Sequence, residues 1–389
     1  MGERTSLRSR YDAVVVGARC AGAATAMRLA QGGLRVLVVD RGQYGTDTLS
    51  THALMRGAVV QLQRLGVLER VAAAGTPVVR STSFHYGDRE VRIPIKPRDG
   101  VAGLFAPRRV LLDRLLVDAA RAAGAEVAYG LRVAELVRTA DGRVAGVAVE
   151  DGNASVRRIA ASTVVGADGL HSTVARLAGA EPTATGRHAS GVVYGYFAGL
   201  ESDGYHWHFR PGASAGRIPT GDGLTCVFAS TSARRFHDEV RHDIAKGFAR
   251  VLAECAPELA AAVATAPRSG SLRGFPGVAG FMRRPWGRGF ALVGDASYFR
   301  DPITAHGITD ALRDAELVSD AIAQGTDQAL ARYEERRDAL ARGLFEVTDR
   351  IASYEWSLAE VEELHLALSE EMKREVAALD SLPVAAAPV

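Results

Sequence analysis

The residues best suited to chemistry form one short run, Gly17-Ala18-Arg19-Cys20-Ala21-Gly22, with an acid, Asp40, 23 positions after Gly17. Gly17 permits a sharp turn. The helix that follows offers free N–H groups and a positive dipole end, which suit a pyrophosphate. Gly22 lets that helix pack closely on a sheet, and Asp40, followed by Arg41, can accept from ribose hydroxyls. This layout is that of a dinucleotide site. Arg19 departs from it, standing where the middle glycine of G-x-G-x-x-G lets the backbone approach the phosphates. Its side chain must point away from the pyrophosphate or pair with it directly.

Other chemical groups recur along the chain. Asp168-Gly169 and Gly294-Asp295-Ala296 each follow a short apolar run. At the carboxyl end of a strand an acid such as Asp295 can accept hydrogen bonds from a polyol chain. Gly307 opens a helix whose amides can stabilise negative charge. The candidate acid/base groups are His52, His206, His208 and His306, with Arg56 four positions after His52.

These groups need elements to hold them. Apolar residues at 11–16 and 34–39 read as buried strands flanking an Ala-rich helix that ends near Gly32-Gly33. Helical periodicity marks 57–66 and 107–123; strands are expected at 126–129, 132–138, 143–150, 163–165 and 290–293. Residues 81–95 read as a hairpin around Gly87-Asp88. Between 188 and 230 the chain is β-rich, 232–263 return to helix, and 307–323 and 329–379 are helical. The fold class is α/β. The expectation is a discontinuous Rossmann-like domain (8–80, 100–187 and 285–328) with an inserted mixed β-sheet substrate domain (81–99 and 188–284) and a C-terminal helical segment (329–380). Residues 383–389 are expected to be disordered.

Composition narrows the function. The 389 residues suffice for two or three domains, and 47% apolar with 24% charged residues is ordinary for a globular protein. A net charge of +2 gives no field to recruit nucleic acid or an anionic membrane. Only Lys96, Lys246 and Lys373 are lysines; the remaining positive charge is arginine. Cys20, Cys226 and Cys255 are too scattered for a disulfide framework or a metal site, and a reducing cytoplasm is expected. The charged N-terminus lacks an apolar leader, and no apolar run reaches membrane-spanning length.

Four motifs together resemble a known family. Residues 164–172 (VVGADGLHS) and 292–296 (LVGDA) resemble the Asp-Gly and Gly-Asp-Ala signatures of FAD-dependent aromatic monooxygenases of the p-hydroxybenzoate hydroxylase type. Residues 302–311 (PITAHGITDA) resemble the loop and helix start that follow, and Arg109-Val110-Leu111-Leu112-Asp113 is similar to an element found there and in geranylgeranyl reductases. The resemblance runs in order to about residue 340. It implies FAD as cofactor, contacted by residues 17–22, Asp40, Arg41, Arg109, Val133, Asp168, Gly294, Asp295, Ala305, Gly307 and Ile308. The chain departs from the pattern at Ala305, where many members have glycine, at Thr309, where many have asparagine, and at Ala175, seven residues after Asp168, where they carry arginine.

By the same resemblance, NAD(P)H acts as a transient reductant, O₂ adds to flavin C4a, and the resulting hydroperoxide hydroxylates an aromatic or polyketide-like small molecule. Specialised metabolism is the expected setting. His306 and His52, with Arg56, are the candidate catalytic groups, and Tyr194, Tyr196, His206 and His208 the candidate substrate contacts. Residues 205–210 alternate Tyr, Trp and Phe with His, His and Arg, and the sequence leaves open which face lines the cavity. A separate flavin reductase and a homodimer also stay open. One dinucleotide turn and no C-x-x-C pair argue against a disulfide reductase, and the W-x-W-x-I-P run of flavin halogenases is not matched. Two alternatives stand beside hydroxylation: an ene or prenyl reductase, which delivers hydride to an alkene without O₂, and a non-catalytic flavin-binding protein.

Overall fold

Two sheets and the helices between and around them organise the chain, whose computed structural model describes residues 7–98 and 100–382. The expectations for residues 1–6 and 383–389 lie outside the described residues. In the larger sheet, five strands run parallel in the order Phe290–Leu292, Val156–Gly166, Arg10–Val16, Val36–Asp40, Glu126–Tyr129. Their near-continuous apolar runs suit a sheet covered on both faces. Alternation along the strands does the sorting. Val15 and Val38 face the helices Cys20–Gln31, Arg109–Ala122 and Gly307–Gln324, while Val14 and Leu37 face the hairpin made by Arg132–Arg138 and Val144–Glu150.

The smaller sheet has seven strands in the order Arg268–Phe275, Ser190–Ala198, Leu224–Ser232, Ala213–Pro219, Tyr205–Arg210, Ser81–Tyr86, Arg89–Pro94. Only Tyr205–Arg210 and Ser81–Tyr86 pair in parallel, so the sheet is mixed. The helix Ile244–Cys255 covers its outer face. Its inner face joins the core of the larger sheet through Tyr194, Tyr196, Tyr205, Trp207 and Phe228. The helices Asp327–Ala352 and Leu358–Asp380 close the structure, and the Tyr354 hydroxyl between them bonds Ser214 and Ser230 of the inner face. Among the described residues no helix is long and apolar enough to cross a membrane.

Two elements differ from the sequence reading. The strand expected at 163–165 is the end of an eleven-residue strand, Val156–Gly166, whose exposed Arg157 and Arg158 hide its alternation. The helical stretch 232–263 is broken into pieces, because Asp243 caps the helix Ile244–Cys255 and Pro257 starts Pro257–Thr265.

Candidate functional site

Gly17 leaves the first strand at φ +105°, a conformation open to glycine, and a Cβ there would stand 2.4 Å from the Ala167 carbonyl oxygen. A Cβ on Gly22 would lie 1.8 Å from the Gly17 carbonyl oxygen. Turn and helix start are therefore pressed against the sheet by two residues with no side chain. No side chain caps the Cys20–Gln31 helix and its first turn holds no acid, which leaves its N–H groups available to an anion. The Asp40 carboxylate accepts from Ala18 N–H at 2.8 Å and from Gly42 N–H at 2.6 Å. Each oxygen keeps acceptor capacity for a ribose. Asp40 borders an open cleft lined also by Ala18, Arg19, Tyr44, Asp113 and Tyr129. Arg41, next to it, is exposed.

Arg19 resolves the departure from the fingerprint. Its guanidinium turns across the cleft mouth to Asp113 at 3.0 Å and toward the carbonyl oxygens of Thr46 and Asp47. Asp113 also accepts from Arg109 at 2.9 Å and from the Cys20 thiol at 3.2 Å. Burial pushes that thiol up, so Cys20 is a buried neutral donor and not a nucleophile. Three residues of the expected site thus converge on one carboxylate. Asp113 stood in the sequence motif but carried no assigned role; its four-residue spacing from Arg109 on a helix was the available signal.

A second group of expected contacts is Gly294, Asp295 and the start of the Gly307–Gln324 helix; Asp295 lies close enough to Arg109 to act on its charge. Gly294 sits at φ +56°, and its N–H donates to Asp314 at 3.1 Å. The Asp295 carboxyl makes no hydrogen bond to the described residues, and burial pushes its pKa up to about 7, with Asp310 adding to the shift. An acid so desolvated without a donor is a costly arrangement, and it fits a partner with hydroxyl groups. Its Oδ1 lies 4.0 Å from where a Cβ on Gly307 would stand. Ala305 holds φ +50°, which is why glycine suits that position. Ile308 is half-buried in the first turn of the helix. Judged on these observations, the turn amides, Asp40, Asp295 and the Gly307 helix fit an extended dinucleotide.

Three further expected residues are placed as follows, with the Asp168 backbone beside Gly17. Val133 is buried under the larger sheet on the side of the hairpin. Asp168 is engaged locally, accepting from Ser172, from Thr173 N–H at 2.6 Å and from Val174 N–H at the start of the helix Thr173–Ala178, whose N-cap is Ser172. His306 is expected as an acid/base group; the structure instead buries it and seats its Nε2 2.5 Å from Glu375 of the last helix. Arg313 lies 2.8 Å from Glu375, Asp310 and Asp314. His306, Asp310 and Glu375 have the spacing of cation ligands, but Arg313 and Arg300 already supply positive charge to the two acids.

His52 is 1% exposed and held at φ +69°. Its Nε2 meets the Tyr196 hydroxyl, its Nδ1 is buried without a partner, and the two rings stack with centroids 5.5 Å apart. Burial, helped by Arg109, Arg108 and Arg273, pushes the imidazole down to about 3, so it is neutral near pH 7. Tyr194 accepts from Ser50 N–H at 3.0 Å. The Arg108 guanidinium lies 4.3 Å over the Tyr196 ring, and Asp47 pairs with Arg273 at 3.1 Å. No spacing rule relates Arg108, Asp47 and Arg273 in sequence. Arg56 donates to the Lys96 carbonyl oxygen at 2.6 Å.

His206 and His208, candidate substrate contacts like Tyr194 and Tyr196, lie on the opposite face of the smaller sheet from those tyrosines, because His206 pairs in register with Arg217 and His208 with Ala215 of the outer face. There His208 stacks on His85 at 4.1 Å and His206 Nε2 donates to the Asp203 carboxylate at 2.7 Å. Tyr205, Trp207 and Phe209 take the inner face.

A family model described as FAD binding domain matches residues 10–348. Menaquinone reductase of Mycolicibacterium smegmatis is 28% identical over 372 residues, 89% of this chain and 85% of the relative. Digeranylgeranylglycerophospholipid reductase 2 of Methanopyrus kandleri is 28% identical over 345 residues, 84% of this chain and 82% of the relative. Among solved structures, PqsL of Pseudomonas aeruginosa, described as a probable FAD-dependent monooxygenase, superposes with TM-score 0.73 at 22% identity, covering 94% of this chain and 100% of that one. At that identity the likeness concerns the fold.

Proposed function

The chain belongs to the FAD-binding-domain family, and from that premise we propose that it is an FAD-dependent monooxygenase that uses NAD(P)H and O₂ to hydroxylate an aromatic or polyketide-like small molecule. The observation that carries FAD binding is the Asp295 carboxyl, desolvated and without a protein donor beside the Gly307 helix start. In this reading the amides of residues 19–22 and the Arg19 guanidinium hold the pyrophosphate. Asp40 takes the adenosine ribose, and Asp295 takes a ribityl hydroxyl. Bound FAD supplies the redox chemistry, accepting hydride and activating O₂.

The chain's own contribution is binding, orientation and proton placement. Tyr194 and Tyr196 present hydroxyls from an apolar sheet face, a surface suited to an aromatic substrate with a polar substituent. The neutral His52 Nε2 can accept a hydrogen bond from the Tyr196 hydroxyl and so orient it, while burial, which raises the tyrosine and lowers the imidazole, keeps both groups neutral. The buried ring excludes water from that contact. Arg108, stacked on Tyr196, opposes the rise of the tyrosine only in part.

A second reading, an ene or prenyl reductase, is supported by the two reductases matched over more than four-fifths of their length. One experiment separates them. The purified protein, tested for bound flavin, is given NADH or NADPH with a panel of phenols and, separately, an isoprenoid quinone. Coupled O₂ uptake and a hydroxylated phenol sustain the monooxygenase. Coenzyme oxidation that needs the isoprenoid and proceeds without O₂ replaces it with the reductase.

A further inference from the structure

The last helix, Leu358–Asp380, lies beyond the residues matched by the family model, yet one of its side chains reaches the ring end of the site. Glu375 is wholly buried. One of its carboxylate oxygens meets His306 Nε2 at 2.5 Å and the other accepts from Arg313 at 2.8 Å. His306 caps the helix that begins at Gly307, and its carbonyl oxygen accepts from Asp310 N–H at 3.1 Å. Gly307 in turn faces the unpartnered Asp295 carboxyl. Glu375 also sets a second helix, because its Oε2 lies 3.5 Å from where a Cβ on Gly57 would stand, and Thr309 Cγ2 lies 2.6 Å from the same point.

A buried ionic network of this kind is a poor source of stability, since desolvation offsets much of the attraction. Its geometric effect is different: a carboxylate that accepts from two fixed donors admits few arrangements of the groups around it. Asp310, Asp314 and Glu375 are matched by Arg300, Arg313 and the His306 N–H. Every one of these groups except Glu375 sits on, or a few residues before, the Gly307–Gln324 helix. Among these charged groups, Glu375 is the one supplied by a distant part of the chain.

We propose that Glu375 is a positioning residue for the flavin end of the cofactor, fixing the His306–Gly307 turn against Asp295 through its contacts with His306 and Arg313. The proposal rests on the FAD reading above. It assigns the C-terminal helix to the cofactor site and separates the two ends of that site: the adenosine end is built on residues 17–40 and Asp113, the flavin end on residues 294–313 and Glu375.

The test exploits that separation with two probes, FAD and ADP, titrated into the full chain freed of flavin. Glu375→Gln is expected to weaken FAD about tenfold while ADP changes less than twofold, and Glu375→Asp is expected to recover part of the loss. The visible absorbance of bound FAD should shift in Glu375→Gln, because the ring's surroundings change. An unchanged ratio of FAD to ADP affinity overturns the proposal, whether both ligands bind normally or both weaken together, since a purely structural role moves both. If Glu375→Gln yields no folded protein, His306→Gln removes the other half of the contact, and the same ratio decides in the same way. Wild-type chain that binds ADP no more weakly than FAD overturns the FAD reading itself, and the proposal with it.

Discussion

Asp295 and Gly307 face each other so closely that a single methyl group on the glycine would stand 4.0 Å from the aspartate Oδ1. A helix start lies against a carboxyl that has no hydrogen-bond donor among the described residues. The two residues are twelve positions apart, a spacing that no helical or strand periodicity relates, and the turn at Ala305 lies between them.

That pair gives the first prediction. Asp295→Ala removes the acceptor for a ribityl hydroxyl and is expected to strip FAD, measured as flavin absorbance per mole of purified chain. Without cofactor the same substitution should stabilise the protein above pH 7. The Asp295 pKa is raised to about 7 in the folded state, so its contribution is full at low pH and is lost as pH rises through 7. Removing the burden of an ionised, desolvated carboxylate is expected to add about 2 kcal/mol at pH 8. Equal flavin content in variant and wild type would refute the assigned role.

Arg19 leads to a second. Because its guanidinium is anchored to Asp113 at the cleft mouth, it supplies charge where the family pattern supplies close backbone approach. Arg19→Gly is expected to weaken FAD binding about tenfold at low salt and to reduce its salt dependence, as the loss of a charge-assisted contact to phosphate requires. Titration of flavin fluorescence at two salt concentrations checks both. Tighter binding by the glycine variant would show that Arg19 obstructs the pyrophosphate.

Asp113 should matter more for stability than for selectivity. It is the only carboxylate within reach of the buried Arg109 guanidinium among the described ion pairs, and it also holds Arg19 and Cys20. Asp113→Ala leaves a buried cation without its partner, which costs about 3 kcal/mol. Denaturant unfolding of the variant should show the midpoint falling with little change in slope.

How far the sequence discloses all this depends on the range of the contact. Gly17, Gly22 and Asp40 act within one strand–helix–strand unit, and their spacing carries their roles. The parallel sheet and its helix layer follow from apolar runs and glycine breaks for the same reason. Glu375 meets His306 across 69 positions, and Tyr196 meets His52 across 144. No periodicity connects such pairs, and either histidine alone reads equally well as core or catalyst. The strand 205–210 shows a subtler limit. Its alternation is plain, but both faces are covered, so hydrophobicity cannot say which one looks inward.

Acid lability is the next expectation. Burial pushes His52, His208 and His365 down to about 3. In the unfolded chain they take up protons near pH 6.5, so the unfolded state binds more protons between pH 6.5 and 3 and stability falls as pH drops through that window. Asp295 and Asp301, raised to about 7 and about 6, act with the opposite sign. Three imidazoles outweigh two carboxyls below pH 6.5, and the net effect is destabilising. Thermal melts from pH 7.5 to pH 4.5 should show a falling midpoint, and His365→Phe should flatten the decline.

The faces of the smaller sheet provide the last prediction. Tyr196 points inward to His52, whereas His208, on a neighbouring part of the same sheet, points outward to His85. Tyr196→Phe deletes the hydroxyl and leaves His52 Nε2 buried without a partner, which costs about 1 to 3 kcal/mol. Under the proposed function it also slows turnover at least tenfold with flavin content unchanged, because the substrate loses the hydroxyl that orients it. His208→Ala disturbs only packing on the outer face and should leave turnover near wild type. Steady-state kinetics on the two variants, each normalised to bound flavin, weigh one face against the other. If His208→Ala slows turnover and Tyr196→Phe does not, the substrate approaches from the outer side, and the inward tyrosines are core.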